Sequence, residues 1–148
     1  MNASNQAYTI NPRHDILYVD LFGSWNHEQT YQFSLDYKKQ VSRYFAREWV
    51  CVLNLKKLDM LISESEQIGT FKSLLSWSYL KGMTALVAVV GIENRHYLLY
   101  QFEEILNSNQ PYGQVICYSD AEVRQWLIKH QKLIAGSVPD SGVQQQRA

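Results

Sequence analysis

The chain has 148 residues, of which 46% are hydrophobic and 13% aromatic, enough apolar material for one well-packed domain. Its 14 basic and 14 acidic residues give zero formal net charge, which excludes the long-range positive field that a nucleic-acid binder uses to gather phosphates. Zero net charge also weakens the repulsion between copies and so favours self-association.

The two cysteines predict a reducing environment. Cys51 and Cys117 each lie in an apolar segment ("WVCVLNL" and "QVICY"), which is typical of buried thiols and not of a disulfide framework. The segment "MNASNQAYTINPRHD" lacks the charged start and apolar core of a secretory signal. No apolar run approaches the roughly 18 residues of a membrane span. We therefore expect a cytoplasmic protein without a membrane span.

Two short strands are predicted first, in "YTINPRHDILYVDLFGSW". Pro12 cannot donate a backbone hydrogen bond, so the first strand is expected at a sheet edge or interrupted near this residue. In the second strand Leu17, Val19 and Leu21 share one face because side chains alternate along a strand. This strand is predicted to end at Gly23.

Helices and apolar strands then alternate. The first helix is predicted to begin after Asn26, which with Gln29 has the spacing of a capping box. The strands "WVCVLNL" and "TALVAVVG" are apolar with little alternation, as expected for strands covered on both faces. A second helix is predicted over residues 63–81, with Ser78 on its inward stripe and Gly82 as its C-terminal cap.

A third helix ("NRHYLLYQFEEILNSN"), a short strand ("QVICY") and a last helix with Ser119 and Glu122 as capping box complete the order. Strands alternating with helices indicate right-handed crossovers and a parallel sheet. The predicted fold is a single α/β domain, residues 1–134, with a mostly parallel mixed sheet of about five strands and about four helices. Residues 135–148 are small and polar, and are predicted to be disordered.

Sequence motifs for nucleotide, metal and nucleophile chemistry are absent. The segments after the apolar strands contain neither GxGxxG nor GxxxxGK, and no GxSxG elbow occurs. The histidines, His14, His27, His96 and His130, include no HExxH spacing and no i, i+4 pair. We therefore expect no cofactor, no metal site and no catalytic residue, and a protein that is not an enzyme.

The acidic segment "LDMLISESEQ" joins a predicted strand to the second helix. Ser63 and Glu66 have capping-box spacing, and carboxylates in the first turn are stabilised by the helix dipole by about 0.3–1 kcal/mol each. A phosphoryl group on Ser63 or Ser65 would meet the same dipole, but Asp59, Glu64 and Glu66 would repel it. A capped connection is therefore favoured over a phosphoserine switch.

Polar and aromatic residues follow the carboxyl ends of the predicted strands, where ligands bind in open α/β sheets. A structural interpretation is favoured for most of them, since Asn94 can cap its helix and Arg95 can remain solvated. The candidate ligand or partner surface comprises Trp25, Asn26, Trp77, Asn94, Arg95 and Tyr97.

The second helix is apolar on more than one side. Leu74, Leu75, Trp77, Tyr79 and Leu80 cannot all face one sheet, because they span more than one stripe of the helix. Packing against a neighbouring helix is the commoner explanation. Apolar side chains of this helix that such packing leaves exposed support the hypothesis of a homodimer or partner interface.

These elements carry a resemblance to a known family. The resembling segments are "WVCVLNLKKLDMLISESEQIGTFKSLLSWSYLKGMTALVAVVGIENRHYLLYQFEEIL" and "VICYSDAEVRQWL". Together they resemble the SpoIIAA-like branch of the STAS-like superfamily, whose members share a "VAVVG" strand and often finish with a "WL" helix. The resemblance covers roughly residues 8–132 and implies a strand pair followed by βα repeats.

The resemblance also bears on function. In the anti-sigma-factor antagonists of this superfamily a DSSG-like motif carries the phosphorylated serine. Here that motif falls at Ile62, Ser63, Glu64 and Ser65, with Glu64 at the phosphorylated position. The resemblance implies a regulatory or protein-interaction module without an intact phosphoserine switch, whose partner is another protein or a second copy. Because some relatives are suspected binders of lipid-like molecules, a small apolar ligand is the alternative.

Overall fold

The computed structural model describes residues 3–4, 7–61, 65–91 and 110–130. The strands within them are β1 Ala3–Ser4, β2 Tyr8–Arg13, β3 Ile16–Trp25, β4 Trp49–Leu61, β5 Met83–Val89 and β6 Gly113–Cys117. The helices within them are α1 His27–Tyr44, α2 Ser65–Leu80 and α3 Asp120–Lys129. The third predicted helix, residues 94–109, and the predicted disordered tail, residues 135–148, lie outside the described residues.

All of these strands belong to one mixed sheet, in the order β1-β2-β3-β4-β5-β6. β1 to β3 pair antiparallel, whereas β3 to β6 pair parallel. The helix α1 connects β3 to β4 and α2 connects β4 to β5, as parallel neighbours require. The structure thus confirms the predicted α/β domain with a mostly parallel mixed sheet. Within the described residues the sheet has five longer strands, and the two-residue β1 adds a short sixth strand at its edge.

The sheet has a core on each face. α1 and α2 pack on one face, and α3 packs on the other. The core residues that α1 and α2 contribute are Phe33, Tyr37, Val41, Phe71, Leu74 and Leu75. α3 contributes Val123 and Leu127. β5 contacts both α2 and α3, which explains its nearly continuous burial and the lack of alternation in its sequence.

Local caps begin α1 and α3. In α1 the Gln29 N–H donates to Asn26 Oδ1 at 2.8 Å, and the Asn26 N–H donates to Gln29 Oε1 at 3.1 Å, which confirms the predicted capping box. In α3 the Glu122 N–H donates to Ser119 Oγ at 3.2 Å, but the Glu122 carboxylate accepts from the Tyr118 N–H at 2.7 Å. The return bond of this second box is therefore displaced by one residue.

β3 and β4 are longer than predicted. Gly23 has φ +69° at an irregularity in the pairing, and β3 continues past it to Trp25 instead of ending there. Beyond the irregularity, Gly23 pairs with Leu58 and Ser24 with Met60. β4 therefore extends into part of the segment that was predicted to be a connection.

Candidate functional site

The starts of α1 and α2 lie together at one edge of the sheet, because both helices follow the carboxyl ends of parallel neighbours. His27 Nδ1 lies 4.0 Å from Glu66 Oε1, and both side chains are exposed. One turn deeper, Gln67 Nε2 donates to Thr30 Oγ1 at 2.9 Å, and both residues are buried. We call this region the helix-start edge and define it as Asn26–Thr30 together with Ser65–Gln67.

The helix-start edge is rich in hydrogen-bond acceptors. One acceptor is the Asn26 carbonyl, to which Thr30 Oγ1 donates at 3.0 Å. Another is Gln67 Oε1, which is buried and has no hydrogen-bond partner in the described part of the chain. Glu28 and Glu66 place carboxylates in the first turns of α1 and α2, where each helix dipole favours negative charge. This chemistry suits a hydrogen-bond donor better than an added phosphate.

Of the switch-loop candidates, the structure describes Asp59 and the backbone of Ser65. Asp59 is exposed within β4, so its predicted place in a connecting loop was wrong. The physical reason is the pairing of β4 with β3 beyond the irregularity at Gly23. The backbone of Ser65 begins α2. Ser63 and Glu64 lie outside the described residues.

Trp25 is buried and does not belong to the exposed surface on which it was predicted. Its ring lies 5.9 Å from Tyr8, 5.4 Å from Phe33 and 6.2 Å from Phe71, measured between centroids. Its indole N–H donates to the Phe22 carbonyl at 2.9 Å, which satisfies its polar atom. Trp25 therefore belongs to the aromatic core beneath the helix-start edge.

Asn26 and Trp77 are the other surface candidates within the described residues, and they are separated. Asn26 is exposed at the helix-start edge, but its side chain is engaged in the capping box. Trp77 lies ten residues beyond Gln67 on α2, roughly 15 Å along the helix axis. Asn94, Arg95 and Tyr97 fall outside the described residues. The structure thus does not bring Trp77 together with Trp25 and Asn26.

Trp77 is half-buried between the two helices and two lysines. Its ring centroid lies 6.3 Å from that of Tyr37 on α1. The ammonium groups of Lys38 and Lys81 lie 5.7 Å and 5.8 Å from the same indole centroid, within cation–π range. Trp77 therefore packs against the neighbouring helix α1, which is the explanation that the sequence favoured for the apolar side chains on more than one side of α2.

A buried polar cluster under α1 and α2 was not anticipated as a unit. Ser78 Oγ donates to the Leu74 carbonyl at 2.8 Å and lies 2.8 Å from the Tyr37 hydroxyl, which therefore donates to Ser78. Burial raises the pKa of the Cys51 thiol to about 12, against a smaller lowering by its hydrogen bond with Tyr37. Burial also raises the pKa of Tyr37 well above its ordinary value. The signal in the sequence was Ser78 itself, a hydroxyl on an apolar stripe.

The large exposed apolar side chains concentrate on α1 and α2. The examples within the described residues are Tyr31 (59% exposed), Leu35 (44%), Tyr44 (37%), Tyr79 (43%) and Leu80 (79%). Tyr79 and Leu80 are the apolar side chains of α2 that remain exposed after Leu74 and Leu75 enter the core. The pair on α1 was missed, although the i, i+4 spacing of Tyr31 and Leu35 lies out of phase with the inward stripe.

No group of three or more His, Cys, Asp or Glu side chains in the described part of the chain could hold a metal ion. In the same part, none of the helices has the length and apolar character needed to cross a membrane.

Comparisons with known proteins identify the fold. No protein-family model matches the chain, and no curated protein matches it. An uncharacterised DUF3478-family protein with a SpoIIAA-like fold from Shewanella loihica PV-4 is similar with a TM-score of 0.59 and 15% identity, over 86% of this chain and 98% of that chain. The anti-sigma factor antagonist SpoIIAA in its unphosphorylated form is similar with a TM-score of 0.57 and 11% identity, over 86% and 99%. The chain therefore has a STAS/SpoIIAA-like fold, as the sequence resemblance predicted.

Proposed function

We propose that this chain is a non-enzymatic, cytoplasmic protein-interaction module with a regulatory role, which binds a protein partner on the outer surface of α1 and α2. The observation that carries the proposal is the set of exposed apolar side chains on these two helices, led by Leu80 at 79% exposure. Apolar side chains gathered on one layer are typical of interaction surfaces.

The similar fold of SpoIIAA supports a protein partner. That protein is by name an anti-sigma factor antagonist, so its described role is directed at another protein. Transfer of such a role to this chain rests on the α1–α2 surface and not on identity. The glutamate at position 64 supports a module that works without a phosphoserine switch.

The chemistry of the buried titratable groups supports a non-enzymatic role. A thiol acts as a nucleophile only as the thiolate, and the pKa of about 12 keeps Cys51 protonated at neutral pH. Burial raises the pKa of Cys117 as well. Both cysteines are free and buried in the cores on opposite faces of the sheet, so neither is placed to pair with the other.

Native mass spectrometry of the protein taken gently from its source cells tests the proposal. We expect a defined partner chain on the wild-type protein and a loss of at least tenfold in partner occupancy for Leu80→Asp, because a charge replaces an exposed apolar contact. Lys129→Glu is the control for added negative charge elsewhere, since Lys129 is exposed on α3, which packs on the opposite face.

Three other outcomes of this experiment would each contradict a part of the proposal. A reproducible small-molecule adduct without a partner chain would favour the alternative function, a binder of a small apolar or lipid-like ligand. Partner occupancy that is equal in wild type and Leu80→Asp would remove α2 from the proposed surface. A phosphoryl mass on Ser63 or Ser65 would contradict the absence of a phosphoserine switch.

A further inference from the structure

We infer that the outer face of α1 binds the same face of a second copy of this chain, with the two α1 helices antiparallel about a two-fold axis. This inference rests on the proposed function, because it names the partner for the α1 part of the interaction surface. It concerns residues different from Leu80, so the two proposals can fail separately.

The outer face of α1 carries a row of exposed side chains with an apolar centre and charged ends. Phe33, Tyr37 and Val41 point into the core, so residues half a turn away around the helix point outward. That outward row, with spacings of three or four residues, is Glu28, Tyr31, Leu35 and Lys39, and all four side chains are exposed.

This row is complementary to itself when reversed. Its order along the helix is acidic, aromatic, aliphatic and basic. Tyr31 and Leu35 have their midpoint at position 33, and Glu28 and Lys39 have theirs between positions 33 and 34. A two-fold axis at this point sets Tyr31 against Leu35 of the second copy and Glu28 against its Lys39. Each contact then occurs twice, as an isologous interface requires.

Electrostatics selects the antiparallel arrangement. A parallel pairing of two α1 helices would set Glu28 on Glu28 and Lys39 on Lys39, and such like-charge contacts suppress association. In the antiparallel pairing both contacts are attractive. Zero net charge means that the two copies do not repel one another as whole molecules.

The size of the face predicts a weak dimer. α1 has 18 residues and is therefore about 27 Å long. With a contact strip about 10 Å wide, each copy buries on the order of 300 Å², well below the roughly 800 Å² per partner of a standard interface. We therefore expect reversible association that depends on protein concentration, with a Kd on the order of 100 µM.

Sedimentation velocity on the full chain tests the inference, over about 10 µM to about 1 mM to bracket a weak interface. The variants are Glu28→Lys and Lys39→Glu, each alone and mixed in equal amounts. Lys129→Glu provides the same change of charge as Lys39→Glu on α3. Circular dichroism spectra matching the wild type verify that each variant is folded.

We expect wild type and Lys129→Glu to dimerise, and each single α1 variant to dimerise at least tenfold more weakly. Mixing the two variants should restore dimerisation, because both charge contacts of the mixed dimer then join a basic side chain of the Glu28→Lys copy to an acidic side chain of the Lys39→Glu copy. A misfolded variant would not be rescued in this way.

Three results would overturn the inference: a wild-type chain that stays monomeric over the whole range, a dimer that neither variant weakens, or a mixture that shows no recovery. If the chain is monomeric but a partner still binds through Leu80, only this inference fails. If the charge-swapped mixture dimerises and no partner depends on Leu80, the homodimer stands and the α2 docking surface fails.

Discussion

At the scale of single residues, Ser78 is the clearest case of a polar group that the core needs. It is fully buried, it accepts from the Tyr37 hydroxyl, and it donates to the Leu74 carbonyl. Because water does not reach these atoms, each one depends on its neighbours for its hydrogen bonds.

Substitutions at this pair should not be additive. Ser78→Ala is expected to lower the free energy of unfolding by about 1–2 kcal/mol, because the Tyr37 hydroxyl loses its acceptor. Tyr37→Phe should cost a similar amount, about 1–2 kcal/mol. The double variant should cost less than the sum, since it leaves no half-satisfied pair. Urea denaturation of the four proteins measures the coupling. Strict additivity would show that the two hydroxyl groups do not interact.

At the scale of elements, Gly69 inside α2 and Gly82 at the C-terminal end of α2 have different roles. Gly82 has φ +107°, and a Cβ there would lie 3.1 Å from the Arg47 carbonyl oxygen. Its N–H donates to the Tyr79 carbonyl at 3.1 Å, so it ends α2 as the sequence predicted. Gly69 lies inside α2, and a Cβ there would meet nothing within 4 Å.

Alanine at these two positions should have opposite effects. Gly82→Ala is expected to destabilise the protein by about 1–3 kcal/mol through backbone strain and crowding. Gly69→Ala should stabilise it by about 0.5–1 kcal/mol, because alanine restricts the unfolded chain and favours the helix. Thermal and urea denaturation of both variants provide the comparison. Destabilisation by Gly69→Ala would indicate a close approach at Gly69 that the described residues do not contain.

At the scale of the whole molecule, the buried acids of the α1–α2 core make stability depend on alkaline pH. Burial raises the pKa of Cys51 from its ordinary 9.0 to about 12, and it raises that of Tyr112 from 10.0 to about 12. Between these values the unfolded chain has released protons that the folded chain still holds. Stability is therefore fully present below about pH 9 and decreases as pH rises toward 12.

The expected loss is about 1.4 kcal/mol per pH unit for Cys51 alone. Urea denaturation at several pH values between about 7 and 11 measures the slope. Cys51→Ala is the control, because it removes one titrating group and should make the decline shallower. Equal slopes in the two proteins would contradict the assignment of this pH dependence to Cys51.

The order of elements and several of their ends could be predicted from the sequence. The capping box of Asn26 and Gln29, the inward position of Ser78 and the cap at Gly82 follow from spacings within a few residues. The alternation of strands with helices then favours a parallel sheet, because few connections satisfy the handedness of a crossover. These features are local, so the sequence by itself determined them.

Only the tertiary structure decided which of the candidate side chains meet. Tyr37 and Ser78 are 41 positions apart in the chain, and no local period indicates their hydrogen bond. Trp25 is buried because β2, α1 and α2 all place aromatic rings around it, although its position at a strand end favoured exposure. Asp59 lies in a strand because β3 continues beyond Gly23. Each of these outcomes depends on contacts between distant segments, which the local pattern of residues does not contain.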